Sequence, residues 1–197
     1  MEPAFHDLKQ TYQRFDNEKL IRIATHEAEG LRPEAVQALR EVIKERGLSD
    51  DISAGIEVQR TPIDEATLLA YVDVIRGLRC PDCGATGTKL NGTVAGTVTS
   101  FIVLTNYEKR VKIACPACLD KASDAGTMKS IALGWWALPW GIVKTIQCLL
   151  FNHGMKKQNH LDGPNETMVG FTRSNLGALE AYKNDPIRLR ELITDVS

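Results

Sequence analysis

The sequence lacks a strong charge of either sign and lacks a signal peptide. Its 197 residues carry 24 basic and 25 acidic side chains, which gives a formal net charge of −1. Such a balance predicts no strong general affinity for nucleic acid. Charged residues interrupt the N-terminal stretch, and no apolar core region follows them. We therefore expect a cytoplasmic protein, with a peripheral position at the inner membrane face as one possibility.

Recognisable catalytic patterns are also missing. The chain shows no Ser/His/Asp set, no glycine-rich loop that would cradle a phosphate, and no convincing pair of carboxylates. Its four histidines do not form a ligand pattern with one another. These absences favour a protein that acts by binding and not by catalysis.

Cysteine is scarce but strongly patterned. Four of the five cysteines form two C-x-x-C pairs, Cys80 with Cys83 and Cys115 with Cys118. Two such turns supply the four tetrahedral thiolates of a closed structural zinc site, although the same ligands also suit iron. Gly84 can adopt a positive φ just after the first pair. The alternative interpretation is a thiol oxidoreductase that uses Cys80 and Cys83.

The remaining pattern predicts an α+β protein, in which a small antiparallel zinc-ribbon sheet is flanked by an N-terminal helical hairpin and C-terminal helices. Asp16, Pro33 and Gly47 mark helix ends in the hairpin. The expected segments are a helical hairpin (1–47), a linker (48–60), a helix packing on the ribbon (61–79), the zinc ribbon (80–122), a Trp-rich segment (123–157), and a polar loop with short C-terminal helices (158–197).

All three tryptophans lie in one apolar stretch, residues 131–151, which nearly reaches the length of a membrane span. Glycines, a proline and a lysine interrupt it, so we expect an aromatic turn followed by an amphipathic helix. Its apolar face can be core, can lie in a membrane interface, or can bind a partner or a second copy of the chain. The residues expected to make a membrane or partner contact are Trp135, Trp136, Trp140, Ile142 and Lys144.

Basic residues are concentrated in the middle of the chain. Residues 80–157 contain nine basic and four acidic side chains, a local charge of +5. Lys109, Arg110 and Lys112 lie on the last predicted strand of the ribbon, where they could contact nucleic-acid phosphates. Tyr107 is the one aromatic residue beside them, whereas recognition by base stacking uses several aromatic side chains. Nucleic-acid binding is therefore the alternative function.

The cysteine pairs together with Gly134-Trp135-Trp136 and Pro139-Trp140-Gly141 resemble a group of bacterial proteins of uncharacterised activity. These proteins have a four-cysteine zinc ribbon followed by a GWW…PWG hydrophobic segment. The likeness covers residues 80–152. It implies a zinc-binding protein that associates with membranes, and it supplies no activity.

Overall fold

The computed structural model describes residues 3–101, 104–133 and 140–194. Helices dominate, and the described strands form one antiparallel hairpin. The α-helices are α1 (Pro3–Gln13), α2 (Asn17–Arg22), α3 (Pro33–Glu45), α4 (Asp50–Arg60), α5 (Glu65–Arg76), α6 (Pro116–Leu133), α7 (Trp140–Asn159), α8 (Glu166–Ser174), α9 (Leu176–Ala181) and α10 (Pro186–Thr194). The strands are β1 (Asn91–Phe101) and β2 (Leu104–Ala114). The mixture of helix and antiparallel sheet is confirmed, whereas the zinc-ribbon character of the sheet stays a prediction.

The chain divides into two compact units. Unit 1 comprises Met1–Tyr71 and Thr172–Leu189, and it contains α1 to α4 and α9. Unit 2 comprises Val72–Phe171 and Arg190–Ser197, and it contains the hairpin, α6 and α7. Each unit buries apolar side chains of its own. The cysteine pairs and the described part of the Trp-rich segment belong to unit 2.

Local sequence signals set the helix ends of unit 1. The Asp16 carboxylate caps α2 by accepting a hydrogen bond from the Lys19 N–H at 2.7 Å. Helix α3 begins at Pro33, and Gly47 follows its end with a φ of 63° that favours glycine. The three predicted helix ends are therefore confirmed. The core of this unit includes Leu20, Ile23, Leu39, Val42, Ile43, Ile52 and Ile56.

The predicted linker at 48–60 is wrong, because most of it forms helix α4. The Ser49 hydroxyl caps this helix by accepting a hydrogen bond from the Asp51 N–H at 3.2 Å. Ile52 and Ile56 are buried in the core of unit 1. A serine followed by acidic residues is compatible with a polar loop, but the same residues favour a helix N-terminus.

The predicted polar loop at the start of 158–197 is shorter than expected. Helix α8 begins at Glu166, inside that loop, and Asn165 caps it. The Asn165 Oδ1 atom accepts a hydrogen bond from the Met168 N–H at 2.9 Å. An asparagine at this position satisfies a backbone donor that the first helical turn leaves free.

The hairpin is the framework of unit 2. Asn91 pairs with Ala114 at one end, which we call the base, and Phe101 pairs with Leu104 at the other. Helices α6 and α7 pack along β1. The buried Arg76 side chain at the end of α5 donates through Nε to the Leu90 carbonyl at 3.2 Å, just before β1 begins. This contact holds the end of α5 against the start of the sheet.

Side chains of α6 and α7 close the free edge of β1. Asn152 donates from Nδ2 to the Gly96 carbonyl at 3.0 Å, and its Oδ1 accepts from the Gly96 N–H at 2.9 Å. The Ser130 hydroxyl accepts from the Val98 N–H at 3.0 Å. These contacts replace the hydrogen bonds that a third strand would otherwise make.

Close packing at Gly126 leads to the first prediction. A Cβ atom at this position of α6 would lie 2.7 Å from the Gly96 carbonyl oxygen, closer than the backbone can accept. We therefore expect Gly126→Ala to destabilise unit 2 by about 1–3 kcal/mol. Gly154→Ala is the matched control on α7, because nothing lies within 4 Å of its added Cβ. It should stabilise the helix by about 1 kcal/mol.

Denaturant unfolding, followed by hydrogen exchange of the strand amides, measures both changes. Equal stability of the Gly126→Ala variant and the parent chain would contradict the close packing of α6 against β1.

Candidate metal centre

The four cysteines of the two C-x-x-C pairs come together in unit 2, as predicted. The sulfur atoms of Cys80, Cys83, Cys115 and Cys118 all lie within 4.8 Å of one another. The Cys83 and Cys115 sulfurs are 3.7 Å apart, far beyond the length of a disulfide bond, and all four thiols are free. Cys83 is exposed and the other three are buried. Among the described residues, this is the one cluster of His, Cys, Asp or Glu that could hold a metal ion.

A tight turn positions the first pair. The Gly84 N–H donates to the Cys80 carbonyl at 3.0 Å, and the Cys80 N–H donates to the Ala85 carbonyl at 3.0 Å. Gly84 has a φ of 72°, which confirms the positive φ expected after this pair. The turn leaves both sulfurs of the pair on the side that faces the second pair.

The second pair lies where β2 gives way to α6. Cys115 directly follows the last strand residue, and Cys118 lies in the first turn of α6. The Cys118 N–H donates to the Cys115 carbonyl at 2.9 Å. The sequence did not predict this helix, whose 18 residues occupy the end of the expected ribbon and the start of the Trp-rich segment. The second cysteine pair therefore lies at the start of a helix, whereas the sequence predicted a ribbon built from strands.

Backbone donors favour ionisation of the Cys80 thiol. Burial opposes its ionisation, but backbone N–H groups that point at its sulfur lower its pKa to about 7. These groups belong to Cys83, Cys115 and Asp82, and the Cys115 N–H is 3.4 Å from the sulfur. Burial raises the pKa of Cys115 and of Cys118. A cation bound among the sulfurs would offset this cost of ionising neighbouring buried thiols.

The sulfur geometry fits a tetrahedral ion. Four sulfurs about 2.3 Å from one zinc ion lie about 3.8 Å from one another, close to the 3.7 Å between Cys83 and Cys115. A site with four thiolate ligands has no open position for a water molecule or a substrate. Such a centre holds a fold together and supplies no hydrolytic chemistry.

The three basic residues proposed for nucleic acid are each engaged within unit 2. Lys109 lies over the Phe151 ring, 4.8 Å from its centroid. Arg110 pairs with Glu108 at 3.0 Å on the exposed strand surface. Lys112 pairs with Asp82 of the first cysteine turn at 2.8 Å. The strand register places Arg110 and Lys112 on one face of the hairpin and Lys109 on the other.

The predicted membrane or partner contacts are described only in part, because Trp135 and Trp136 lie outside the described residues. Trp140 is the first residue of α7 and is 67% exposed. Lys144 is exposed and Ile142 is half-buried. Helix α7 thus begins close to its predicted start. Its apolar stripe does not form core along its whole length, since Val143, Ile146 and Leu150 are exposed.

Large apolar side chains are exposed at the end of α6 and in the first half of α7, two helices that pack on each other. We call this surface the apolar end of unit 2. Its members are Met128, Ile131, Leu133, Trp140, Val143, Ile146 and Leu150. The α6 members were not predicted from the sequence, because that part of the chain was not recognised as helical.

Comparison with protein-family models, with curated protein sequences and with solved structures gives no match to this chain. Within the described ranges, no helix combines the length and the hydropathy that crossing a bilayer requires.

Proposed function

We propose that this chain is a non-enzymatic zinc-binding protein that acts by binding. In this proposal Cys80, Cys83, Cys115 and Cys118 hold one zinc ion, which joins the turn between α5 and β1 to the junction of β2 and α6. The observation that carries the proposal is the gathering of four free sulfurs at separations that suit one tetrahedral ion. Zinc is favoured over iron because closed structural sites of this kind most often hold it.

The apolar end of unit 2 is the proposed binding surface. Helices α6 and α7 pack on each other, and exposed apolar patches mark sites of protein or membrane contact. The target in this proposal is a membrane face or a protein partner, including a second copy of the chain. A peripheral position at the inner membrane face of a bacterial cell follows from the same proposal.

Nucleic-acid binding has less support. Each of the three basic residues already has an intramolecular partner, so binding phosphates would require those contacts to be exchanged. The thiol oxidoreductase alternative has one favourable observation, the lowered pKa of Cys80. However, the Cys80 side chain is fully buried, which limits attack on an external disulfide.

Cobalt substitution tests the zinc proposal. One Co²⁺ ion per reduced, metal-free chain should give the visible absorption of a tetrahedral four-thiolate complex, and Zn²⁺ should displace it. Cys148→Ala is the control, because the sulfur of this fifth cysteine contacts Ser130 Oγ and Asn152 Nδ2 and belongs to no cluster. Its spectrum should be unchanged. A chain that binds no metal and instead forms an exchangeable Cys80–Cys83 disulfide would overturn the proposal in favour of redox chemistry.

A further inference from the structure

The inner faces of α6 and α7 are unusually polar. Residues 123–133 of α6 and residues 140–152 of α7 form the part of this helix pair that lies away from the cysteine cluster. The buried residues in these two stretches are all small or polar. These residues are Ser123, Gly126, Ser130, Gly141, Thr145, Cys148 and Asn152. The outer faces carry large apolar side chains together with Lys129, Lys144 and Gln147, and Met128, Trp140 and Leu150 are 66%, 67% and 69% exposed.

This polarity is the reverse of the pattern expected in water. A helix on the surface of a soluble domain turns its apolar stripe inward and its polar face to solvent. Helices in lipid pack through small residues and side-chain hydrogen bonds, and they leave apolar side chains outside. Here the Ser130 hydroxyl of α6 lies 3.4 Å from the Cys148 sulfur of α7, and Asn152 Nδ2 of α7 donates to the Thr127 hydroxyl of α6 at 3.3 Å. The inner face therefore has the contacts of a helix pair in an apolar surrounding.

We propose that the apolar end of unit 2 inserts into the hydrocarbon of one leaflet of an anionic membrane. This inference rests on the proposed function, in which the apolar end is the binding surface, and it names the partner as lipid.

The dimensions suit one leaflet. From Trp140 to Leu150 the axis of α7 rises about 15 Å. This length is about half of the ~30 Å hydrocarbon thickness of a bilayer. The cysteine cluster lies at the base of the hairpin. The strands of the hairpin are 11 residues long, so its far end lies about 35 Å from the base. Insertion of the apolar end thus leaves the metal centre in water.

The charge pattern selects an anionic surface. The sequence has no acidic residue between Asp124 and Asp162, an interval that includes the end of α6 and all of α7. Lys129 and Lys144 are exposed beside the apolar side chains. Lysines near inserted apolar groups extend their ammonium groups to lipid phosphates, and each adds attraction to an anionic leaflet.

The same lysines argue against a second copy as the occupant. A two-fold dimer through this surface would bring the same patch of each chain together. Lys129 and Lys144 of one copy would then face a patch that contains no acidic residue of α7. Like charges in a desolvated interface oppose such pairing.

Vesicle flotation of the zinc-loaded full-length chain tests the inference. The probes are vesicles of phosphatidylcholine with phosphatidylglycerol, and vesicles of phosphatidylcholine alone. The chain should float with the anionic vesicles, and acyl-chain bromination should quench its tryptophan fluorescence. Ile146→Gln and Leu150→Gln should each weaken partitioning by about tenfold. Leu161→Gln is the matched control, because Leu161 is 51% exposed but lies beyond α7 near the base, and it should partition normally.

Three results would overturn the inference. A folded, metal-loaded chain that stays in the aqueous fraction excludes lipid as the partner. Equal flotation of the Ile146→Gln/Leu150→Gln double variant shows adsorption by charge without insertion. A dimer in solution that the double variant dissociates, without vesicle binding by the parent chain, assigns the surface to a second copy. In the first and third cases the cobalt spectrum still tests zinc binding independently. Failure of the membrane proposal is therefore distinguishable from failure of the zinc proposal.

Discussion

Replacing Cys80 with serine is expected to unfold the hairpin and the helices that pack on it, while unit 1 stays folded. A closed four-thiolate zinc site contributes apparent binding free energy on the order of 10–16 kcal/mol, and this energy is available only to the folded arrangement. Removing one ligand forfeits most of it and leaves three buried or crowded thiols without a cation. Unit 1 has its own core around Leu20, Leu39 and Ile56, which the substitution does not touch.

Native mass spectrometry should show loss of the zinc ion, and hydrogen exchange should show rapid exchange of the amides in β1 and β2. The amides of α3 should keep their protection. Cys148→Ala again serves as the control, since it removes a buried sulfur without removing a ligand. Protected strand amides in the metal-free Cys80→Ser chain would contradict a structural role for the centre.

Replacing Asn152 with alanine should cause the next largest loss. The substitution removes the side-chain hydrogen bonds to both the N–H and the carbonyl of Gly96. Both groups are buried, and neither has another partner at that edge of β1. Each buried backbone group left without a hydrogen bond costs about 1–3 kcal/mol. We therefore expect unit 2 to lose about 2–6 kcal/mol of its free energy of unfolding.

Gln147→Ala is the comparison for this experiment, because Gln147 is an exposed polar residue of the same helix. Denaturant unfolding of the zinc-loaded proteins measures the difference. Similar stabilities of the Asn152→Ala and Gln147→Ala variants would show that the edge of β1 does not depend on this side chain.

The sequence predicted the features that depend on neighbouring residues. The C-x-x-C spacing brought Cys80 and Cys83 into one turn, and Asp16 and Pro33 marked helix starts, because each signal acts within a few residues. The meeting of the two cysteine pairs was also predictable, because a single metal ion requires all four thiolates as ligands and so brings distant residues together.

The arrangement of α6 and α7 was beyond the same reasoning. The sequence left open whether the apolar stripe that includes Val143, Ile146 and Leu150 faces a core, a membrane or a partner. The outcome depends on Asn152, whose amide complements the edge of a strand far away in sequence. The spacing of residues within α7 does not indicate a contact between Asn152 and a distant strand. Helix α6 was missed for a related reason, since its small residues resemble those of a loop.

The outer edge of β2 gives Lys109, Arg110 and Lys112 a further significance. In the part of the chain that the structure describes, the hairpin has no third strand, so this edge offers unpaired backbone groups. Another chain could add to it and begin a growing aggregate. Charged side chains along such a strand discourage that addition by keeping the incoming chain solvated. The hairpin therefore has amide and hydroxyl groups at one edge and cations at the other, an arrangement that opposes edge-to-edge aggregation.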